Sequence, residues 1–239
     1  MIVRYSANMV TAQLPPRAAA RTVLQPVART VLLTGFDAFG GAHLNPSWLA
    51  VRALHGRQVA GHRMLAAQLP TEFDESLNVL RGLLRQHRPA LVICVGQAGG
   101  RSAMSLERVA ININDARMAD NAASQPIDTP VIASGPAAYF STLPIKAMLL
   151  ALQQAGVAAQ VSQTAGTFVC NHVFYGLMHA LATQRGLRRT RGGFIHVPYL
   201  PEQGTPAMLL DDMVRGLRLA LRCALTTQRD IVQGAGAES

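Results

Sequence analysis

Strand-like and helix-like segments alternate along most of the chain, and this alternation limits the possible folds more than any other feature. The run TVLLTGF at 30–36 is almost entirely apolar, which predicts a buried strand. The segment PSWLAVRALHG at 46–56 predicts a helix that opens with Asn45 and Pro46. The clearest buried strand is ALVICVGQ at 90–97. Alternating strands and helices pack as a largely parallel or mixed sheet with helices on both faces, so the sequence predicts an α/β fold.

The remaining elements continue the alternation. They are a weaker strand at 62–70, an amphipathic helix at 72–88, a half-exposed strand at 108–114, a helix at 144–156, a strand at 157–163, the helix that carries Cys170, a strand at 194–200 and a last helix near 205–227. Residues 115–143 lack periodicity, and so long a stretch in a compact domain is usually functional or disordered. We expect one α/β domain at 29–230, a disordered or loosely attached extension at 1–28 and a flexible tail at 231–239.

The formal charge of +9 is carried almost entirely by arginine, since Lys146 is the only lysine. Four arginines and no acid lie in the first thirty residues, and a second basic group lies in a predicted loop at 185–191. No nucleic-acid recognition motif accompanies the charge, so we interpret it as compositional bias and expect no nucleic-acid partner. The chain has no apolar run of roughly 18 residues and no apolar core of a secretory signal near its start, which predicts a cytoplasmic protein without a membrane partner.

The three cysteines are widely separated, at Cys94, Cys170 and Cys223, without the spacing of a disulfide framework or a zinc site. We therefore expect reduced thiols and no metal centre. Cys94 and Cys223 lie within apolar segments, which raise the pKa of a thiol and keep it inert. Both are predicted to be core residues.

The segment TAGTFVCNHVFYGLMH at 164–179 places the remaining cysteine at the start of a helix. Thr167 is a natural N-cap, which puts Cys170 at about the third helical position. The positive end of a helix and its free backbone N–H groups favour a thiolate, the reactive form of cysteine. Cys170 also begins an apolar stripe at helical spacing, so the residues alone favour a core cysteine and a nucleophile about equally.

A nucleophilic cysteine needs an imidazole within hydrogen-bond distance. His172 follows Cys170 by two positions and points to a different side of the helix, so we interpret it as helix surface or local structure. His196 is the better base, because GGFIHVPYLPEQ places it near the carboxyl end of a buried strand, at the edge of the sheet where the Cys170 helix begins.

The third group of such a site is a carboxylate or amide that fixes the imidazole tautomer. Glu107 is a candidate, because it stands at the start of a predicted strand in a chain with only thirteen acids. A salt bridge to Arg101 or Arg108 explains the same residue equally well.

Six segments spread over the chain belong together. They are VLLTGFDAFGG...NPSW, ICVGQAGGR, ERVAININDARMADN, GPAAYFSTLPIK, TAGTFVCNHVFYGLMH and GGFIHVPYLPEQ. In this order, from about residue 30 to about 203, they resemble the pyrrolidone-carboxylate peptidases, also called pyroglutamyl peptidase type I. These cysteine hydrolases remove an N-terminal 5-oxoproline (pyroglutamate) from peptides. The resemblance implies a three-layer α/β/α fold like that of the purine nucleoside phosphorylases, and a cytoplasmic enzyme without cofactor that is commonly a homotetramer.

The resemblance also implies roles for single residues. Cys170 is the implied nucleophile, His196 the general base and acid, and Glu107 the residue that orients His196. Arg117 has an implied share in stabilising the oxyanion, together with the backbone amide of Cys170. Residues 115–143, which contain Arg117, are expected to close over the substrate. The resemblance implies that the rings of Phe36 and Phe39 pack against the lactam. The other residues implied to line or support its pocket are Asn45, Gln97, Phe168 and Val169.

Two other functions fit parts of the sequence. A nucleoside phosphorylase-like transferase would use GQAGGR at 96–101 as a phosphate-binding turn, but it explains neither the cysteine nor the paired phenylalanines. A basic binding module would hold nucleic acid through the arginines of residues 1–29. The peptidase hypothesis suits the apolar segments better, since oxoproline has no charged amine and needs a pocket with apolar walls and few hydrogen-bond partners.

Overall fold

The computed structural model describes residues 30–236, so the predicted extension at 1–28 and the last three residues of the predicted tail lie outside the described residues. The strands are β1 (Thr30–Phe36), β2 (Gln58–Val59), β3 (His62–Leu69), β4 (Leu91–Gln97), β5 (Met104–Glu107), β6 (Val109–Ile111), β7 (Ala138–Phe140), β8 (Ala159–Ser162) and β9 (Arg191–Val197). The helices are α1 (Pro46–Arg52), α2 (Phe73–His87), α3 (Ile145–Gln154), α4 (Val169–Thr183) and α5 (Leu210–Thr226).

Seven of these strands form one mixed sheet in the order β2-β3-β1-β4-β9-β5-β8. The four central strands β3, β1, β4 and β9 run parallel, and β2 is antiparallel to β3. β5 is antiparallel to β9 and parallel to β8, so the last two strands run against the central ones. The prediction of a mixed sheet is therefore confirmed.

Helices cover both faces of this sheet. α2 and α4 pack on one face, where Leu77 of α2 and Phe174 of α4 belong to the same buried cluster as Phe194 of β9. α1, α3 and α5 pack on the other face, against alternate strand residues such as Ile195. The three-layer α/β/α architecture is confirmed. Within residues 30–236, no helix combines the length and the apolar content needed to cross a membrane.

Most predicted elements are present with shifted bounds. The helix predicted at 46–56 is only α1, and the last helix begins at Leu210 rather than near residue 205. The strand predicted at 194–200 begins and ends three residues earlier, as β9. Glu107 ends a strand instead of beginning one, because β5 pairs with both β8 and β9.

Residues 109–140, here called the arm, leave the sheet and return to it through the antiparallel pair β6 and β7. The side chain of Asn112 joins the two sides of the arm, donating to the carbonyl oxygen of Ile132 and accepting from its N–H, both at 2.9 Å. Asp120 accepts a hydrogen bond from the N–H of Phe73 at 2.8 Å and so ties the arm to the start of α2. Side-chain hydrogen bonds hold the arm, which explains why it lacks apolar periodicity.

The residues after α5 have no regular secondary structure but contact the domain. The carboxylate of Asp230 accepts hydrogen bonds from the N–H groups of Lys146 and Ala147, at 3.0 and 2.9 Å, in the first turn of α3. Arg108 donates to the carbonyl oxygen of Ala235 at 3.1 Å. The described part of the predicted flexible tail is therefore held at one point.

Candidate active site

A buried carboxylate and a buried imidazole meet between β5 and β9. In the antiparallel register Glu107 lies opposite Phe194 and Ser105 lies opposite His196, so Glu107 and His196 are diagonal neighbours on one face of the sheet. Nδ1 of His196 lies 2.7 Å from Oε1 of Glu107, and the two side chains are 5% and 0% exposed. Because the carboxylate accepts this hydrogen bond, the proton sits on Nδ1, and Nε2 is left free to act as a base.

Cys170 is the second residue of α4, which follows Phe168 as its N-cap. The prediction that Thr167 caps the helix is wrong, because Phe168 is the N-cap; the Thr167 hydroxyl donates to the carbonyl oxygen of Asp115 at 2.7 Å and accepts no hydrogen bond from the first turn within residues 30–236. Phe168 provides no side-chain cap either. The first N–H groups of α4 therefore have no side-chain cap where the cysteine stands, which leaves them available to a developing negative charge.

Gly96 makes room for the Cys170 thiol against the sheet. A Cβ atom on Gly96 would lie 2.7 Å from Sγ of Cys170 and 2.8 Å from Cζ of Phe194. Gly96 is paired with His196 in the parallel register of β4 and β9, at a strand spacing of about 4.8 Å, and paired residues face the same side. The thiol of α4 therefore lies over β4, and the imidazole projects from the neighbouring strand β9 on the same face of the sheet. In the part of the chain described, no hydrogen bond yet joins them, as is common before substrate binds.

Burial controls the protonation of Cys170. The residue as a whole is half-buried, but its sulfur points into the sheet. The pKa of the thiol is raised to about 12, chiefly because burial removes it from water; the negative charge of Glu107 also raises it, and the positive charge of Arg101 lowers it. The net direction is opposite to that expected from the helix end, and burial is its largest cause. The resting group is a thiol, and its proton must move to a base during the reaction.

Arg101 is the second partner of Glu107. Its Nη1 donates to Oε1 at 2.8 Å, the same oxygen that accepts from His196. Both interpretations left open for Glu107, an orienting carboxylate and a salt bridge, are therefore present together, and the bridge is to Arg101 and not to Arg108, which contacts the chain end. Because Arg101 is engaged with Glu107, it is not free to bind phosphate at the GQAGGR turn.

Three phenylalanine rings form a wall at the start of α4. The ring centroid of Phe168 lies 6.1 Å from that of Phe39 and 5.3 Å from that of Phe73. Phe39 comes from the loop after β1, and Phe168 directly precedes the helix. Two of the residues predicted to bind substrate, Phe39 and Phe168, are thus brought together beside the cysteine. Phe73 was not predicted, and its only signal in the sequence is its place at the start of a helix.

Phe36 and Val169 lie deeper than the other predicted pocket residues. Phe36 is 2% exposed, and its ring packs against Phe194 with the centroids 6.4 Å apart. Phe194 in turn packs against the His196 ring at 4.8 Å. Val169 is fully buried. In this structure Phe36 packs behind Phe194, which contacts the His196 ring, and Val169 is enclosed by its neighbours.

A cavity of about 500 Å³ opens next to this wall. It is lined by Phe39 and Gln97 from the predicted pocket, and also by Met118 of the arm and by Tyr199 and Gln203 after β9. Gln97 directly follows Gly96 in β4, and its Oε1 accepts a hydrogen bond from Nε2 of Gln203 at 3.0 Å. The cavity therefore shares Phe39 with the wall and carries two amide side chains that can hydrogen-bond a ligand, while Cys170 is not among its lining residues.

Asn45 supports the pocket and does not line the cavity. Its Oδ1 accepts a hydrogen bond from the N–H of Ser47 at 3.0 Å, which caps α1. Its Nδ2 donates to the carbonyl oxygen of Asp37 at 2.9 Å. Asn45 is 4% exposed and fixes the loop after β1 that carries Phe39.

Arg117 lies on the exposed surface of the arm, and its guanidinium makes no hydrogen bond within residues 30–236. Two residues earlier, the N–H of Asp115 donates to the carbonyl oxygen of Thr167 at 3.0 Å, which ties this part of the arm to the turn before α4. The structure thus brings the segment of Arg117 to the mouth of the helix without bringing its side chain to the thiol.

No functional role was predicted for two polar residues that follow the cysteine. The side chain of Asn171 accepts from the N–H of Ile111 at 3.0 Å and donates to its carbonyl oxygen at 2.8 Å, so it holds β6. His172 is 3% exposed, and interpreting it as helix surface is therefore wrong. Its Nδ1 lies 2.9 Å from Oδ1 of Asn114, and burial lowers its pKa to about 4. Polar residues within an apolar helix were the signal, but their partners lie about sixty residues away in the arm.

Comparisons with known proteins agree with this geometry. A sequence profile of the pyroglutamyl peptidases matches residues 29–227. The chain belongs to the pyroglutamyl peptidase family. Pyrrolidone-carboxylate peptidase 1 of Ralstonia nicotianae is 60% identical over 212 residues, which are 87% of this chain and 98% of that protein. The pyrrolidone-carboxylate peptidase of Bacillus cytotoxicus is 50% identical over 213 residues, with the same two coverages.

Solved structures of the family share the fold. The crystal structure of pyroglutamyl peptidase I from Bacillus amyloliquefaciens superimposes with a TM-score of 0.82 at 47% identity and covers 85% of this chain and 100% of that one. A mutant pyrrolidone carboxyl peptidase from Pyrococcus furiosus gives a TM-score of 0.79 at 37% identity, with coverages of 82% and 98%. These comparisons give no support to the nucleoside phosphorylase alternative. No group of three His, Cys, Asp or Glu residues within 30–236 could hold a metal ion.

Proposed function

We propose that this member of the pyroglutamyl peptidase family is a cysteine exopeptidase that removes N-terminal pyroglutamate from peptides. The observation that carries the proposal is the 2.7 Å hydrogen bond between Glu107 and Nδ1 of His196, on the strand next to the glycine over which the Cys170 thiol lies. This arrangement supplies a nucleophile, a base and a group that orients the base.

In the first half of the reaction, Nε2 of His196 takes the proton of the Cys170 thiol as Sγ attacks the acyl carbon that links pyroglutamate to the next residue. The carbonyl oxygen becomes an oxyanion, for which the uncapped N–H groups at the start of α4 are the donors, joined by the guanidinium of Arg117 once the arm has brought it to the thiol. The imidazolium then protonates the leaving amine, the C–N bond breaks, and a thioester to Cys170 remains.

In the second half, water replaces the leaving peptide. His196 takes a proton from the water as its oxygen attacks the thioester carbon, and the proton returns to Sγ when the C–S bond breaks. The products are free pyroglutamate and the Cys170 thiol. Glu107 holds the imidazole in one tautomer throughout and stabilises the imidazolium that forms twice in each cycle. The reaction as written uses side chains of this chain and water, without a cofactor.

Specificity follows from the apolar wall beside the thiol. A pyroglutamyl ring is flat, uncharged and lacks the ammonium of an ordinary N-terminus, so it suits the space bounded by Phe39 and Phe168. Gln97 is the polar partner for the lactam amide. A peptide with a free amino group would have to bury an unpaired cation here.

We further propose that the enzyme acts in the cytoplasm and assembles as a homotetramer. Both statements rest on the family resemblance of the six sequence segments. Size-exclusion chromatography with light scattering tests the assembly, and a monomer at micromolar concentration would contradict it.

Release of a reporter amine from pyroglutamyl, prolyl and glutamyl conjugates tests the activity. We expect turnover of the pyroglutamyl conjugate alone, and equal turnover of all three would contradict the specificity. Cys170→Ala should abolish release and His196→Ala should nearly abolish it, whereas the control variants Cys94→Ala and Cys223→Ala should keep most of it. An inactive Cys94→Ala protein with an active Cys170→Ala protein would reassign the nucleophile.

A further inference from the structure

We propose that Arg101 is a positioning residue for this reaction, and that it holds the Glu107–His196 pair and the loop leading to Cys170 in one hydrogen-bonded unit. The inference rests on the proposed function, because it assigns Arg101 a share in the same chemistry. Arg101 lies in the loop between β4 and β5, and so joins the strand under the thiol to the strand of the carboxylate.

The contacts of Arg101 reach two separate parts of the site. Nη1 donates to Oε1 of Glu107 at 2.8 Å, and Nη2 donates to the carbonyl oxygen of Thr164 at 3.3 Å. A longer contact of 3.5 Å joins Nη1 to Oγ of Ser162, the last residue of β8, and this hydroxyl itself donates to Thr164 at 3.0 Å. The turn that follows leads directly into α4, so one planar guanidinium links the carboxylate to the segment that places Cys170.

Glu107 needs a cation of its own besides His196. Its side chain is completely buried, and Oε2 has no hydrogen-bond partner within residues 30–236. A buried carboxylate without compensation is costly, and His196 is neutral while it waits to accept a proton. Arg101 is permanently charged and contacts the carboxylate at 2.8 Å. It therefore balances Glu107 at the stage of the reaction in which the imidazole cannot.

The charge of Arg101 also acts on the nucleophile. The titratable groups around the Cys170 thiol are Cys94 of β4, Glu107 of β5, His196 of β9 and Arg101 itself. Glu107 raises the pKa of the thiol, and Arg101 lowers it. Removing the guanidinium would leave the Glu107 charge unopposed, which disfavours the thiolate and favours the imidazolium. An ion pair that does not act on the thiol, such as the exposed pair of Arg215 and Asp212 on α5, would leave its protonation unchanged.

The test compares Arg101→Gln, Arg101→Lys and the control Arg215→Gln, which breaks an exposed ion pair with Asp212 on α5. Two quantities are measured for each: kcat and KM on the pyroglutamyl conjugate, and the rate at which iodoacetamide alkylates Cys170 as a function of pH, followed by peptide mass mapping. For Arg101→Gln we expect kcat to fall by about a hundredfold, KM to change far less, and the alkylation midpoint to move to higher pH.

Arg101→Lys separates charge from geometry. Its ammonium restores a positive charge near Glu107 but cannot bridge to Thr164 in the same plane, so we expect the alkylation midpoint to return toward the wild-type value while kcat stays reduced by about tenfold. If Arg101→Gln is folded and keeps the wild-type midpoint, the inference is overturned even if kcat falls. If Arg101→Gln does not fold, wild-type kcat in Arg101→Lys overturns it.

The two proposals fail in different ways. Alkylation of Cys170 needs no substrate, so the effect of Arg101 on the thiol is visible even if the protein does not cleave pyroglutamyl conjugates. Absence of turnover in the wild-type protein would contradict the proposed function alone. Wild-type turnover together with an unmoved midpoint and unchanged kcat in Arg101→Gln would contradict the inference alone.

Discussion

Cys94 and Cys170 lie against the same face of the sheet but in different surroundings. Cys94 belongs to the middle of β4, and Cys170 reaches down from α4 to Gly96, two residues further along that strand. Burial raises the pKa of both thiols to about 12. By this measure alone the inert cysteine and the proposed nucleophile are alike.

The two cysteines differ in the chemical groups that lie near each thiol. Cys94 is fully buried, and the Thr34 hydroxyl lowers its pKa against the larger effect of burial. Cys170 is half-buried, stands at an uncapped helix end and lies beside the strand that carries His196. Reactivity here depends on access to a base and to oxyanion donors, and not on a resting thiolate.

The largest expected effect comes from closing the space over Gly96, which would make the surroundings of Cys170 as tight as those of Cys94. In Gly96→Ala the new methyl group would lie 2.7 Å from Sγ of Cys170 and must displace it. We expect kcat/KM on the pyroglutamyl conjugate to fall by at least about a hundredfold, since displacements of about 1 Å have this effect. We expect the free energy of unfolding, measured in urea, to fall by only about 1–3 kcal/mol.

The control for this substitution is Gly82→Ala in α2, where a Cβ atom would meet nothing within 4 Å. Alanine is the better helix former by about 1 kcal/mol, so this variant should be fully active and slightly more stable. A Gly96→Ala protein that keeps a third or more of the wild-type kcat/KM would show that the thiol has room to move and that its position over Gly96 is not required.

An effect of similar size on turnover, with an informative direction for the thiol, is expected for Glu107→Gln. The negative charge of Glu107 raises the pKa of Cys170, so its removal should move the alkylation midpoint of this thiol to lower pH, opposite to the shift expected for Arg101→Gln. Turnover should nevertheless fall by about a hundredfold or more, because an amide can hold the imidazole in the wrong tautomer. The thiol becomes more acidic and the enzyme slower, which separates acidity from reactivity.

Glu75→Gln is the matched control, since this carboxylate is exposed on α2 and its one side-chain hydrogen bond within residues 30–236 is accepted from Asn78. It should change neither the alkylation midpoint nor kcat. If Glu107→Gln lowered the midpoint and raised turnover, the resting pKa of the thiol would be the limiting property, and the comparison of the two cysteines would have to be reversed.

The sequence predicts the members of the candidate site better than their arrangement. Cys170, His196 and Glu107 each carry a local signal: a helix start, the end of an apolar strand and an acid in a chain with few acids. The hydrogen bond between the last two joins residues that are 89 positions apart. It depends on β5 running against β9, a direction that no local pattern encodes, because alternation along one strand is the same for either direction.

Tertiary packing also explains two of the predictions that failed near the cysteine. Thr167 has the right side chain for an N-cap, but its hydroxyl donates to Asp115 of the arm, a partner 52 positions away. The pKa of Cys170 is set chiefly by burial against the sheet, which the sequence around the helix start does not reveal. Gly96 carries no signal of its role, since a glycine in a strand can serve a bulge, a bend or any close approach.

The smallest expected effect concerns His172, the buried histidine two residues after Cys170. Burial lowers its pKa from an ordinary 6.5 to about 4, so the unfolded chain binds a proton at this residue between these values and the folded protein does not. The stability that comes from the neutral ring is complete above about pH 6.5 and is lost as the pH falls toward 4, by roughly 3 kcal/mol in all.

In His172→Gln the free energy of unfolding, measured in urea between pH 7 and 4, should therefore decrease less than in the wild type, whereas the control His87→Gln, at the end of α2, should keep the wild-type slope. Equal slopes in all three proteins would mean that the folded protein binds a proton at His172 as readily as the unfolded chain does, which would contradict the prediction.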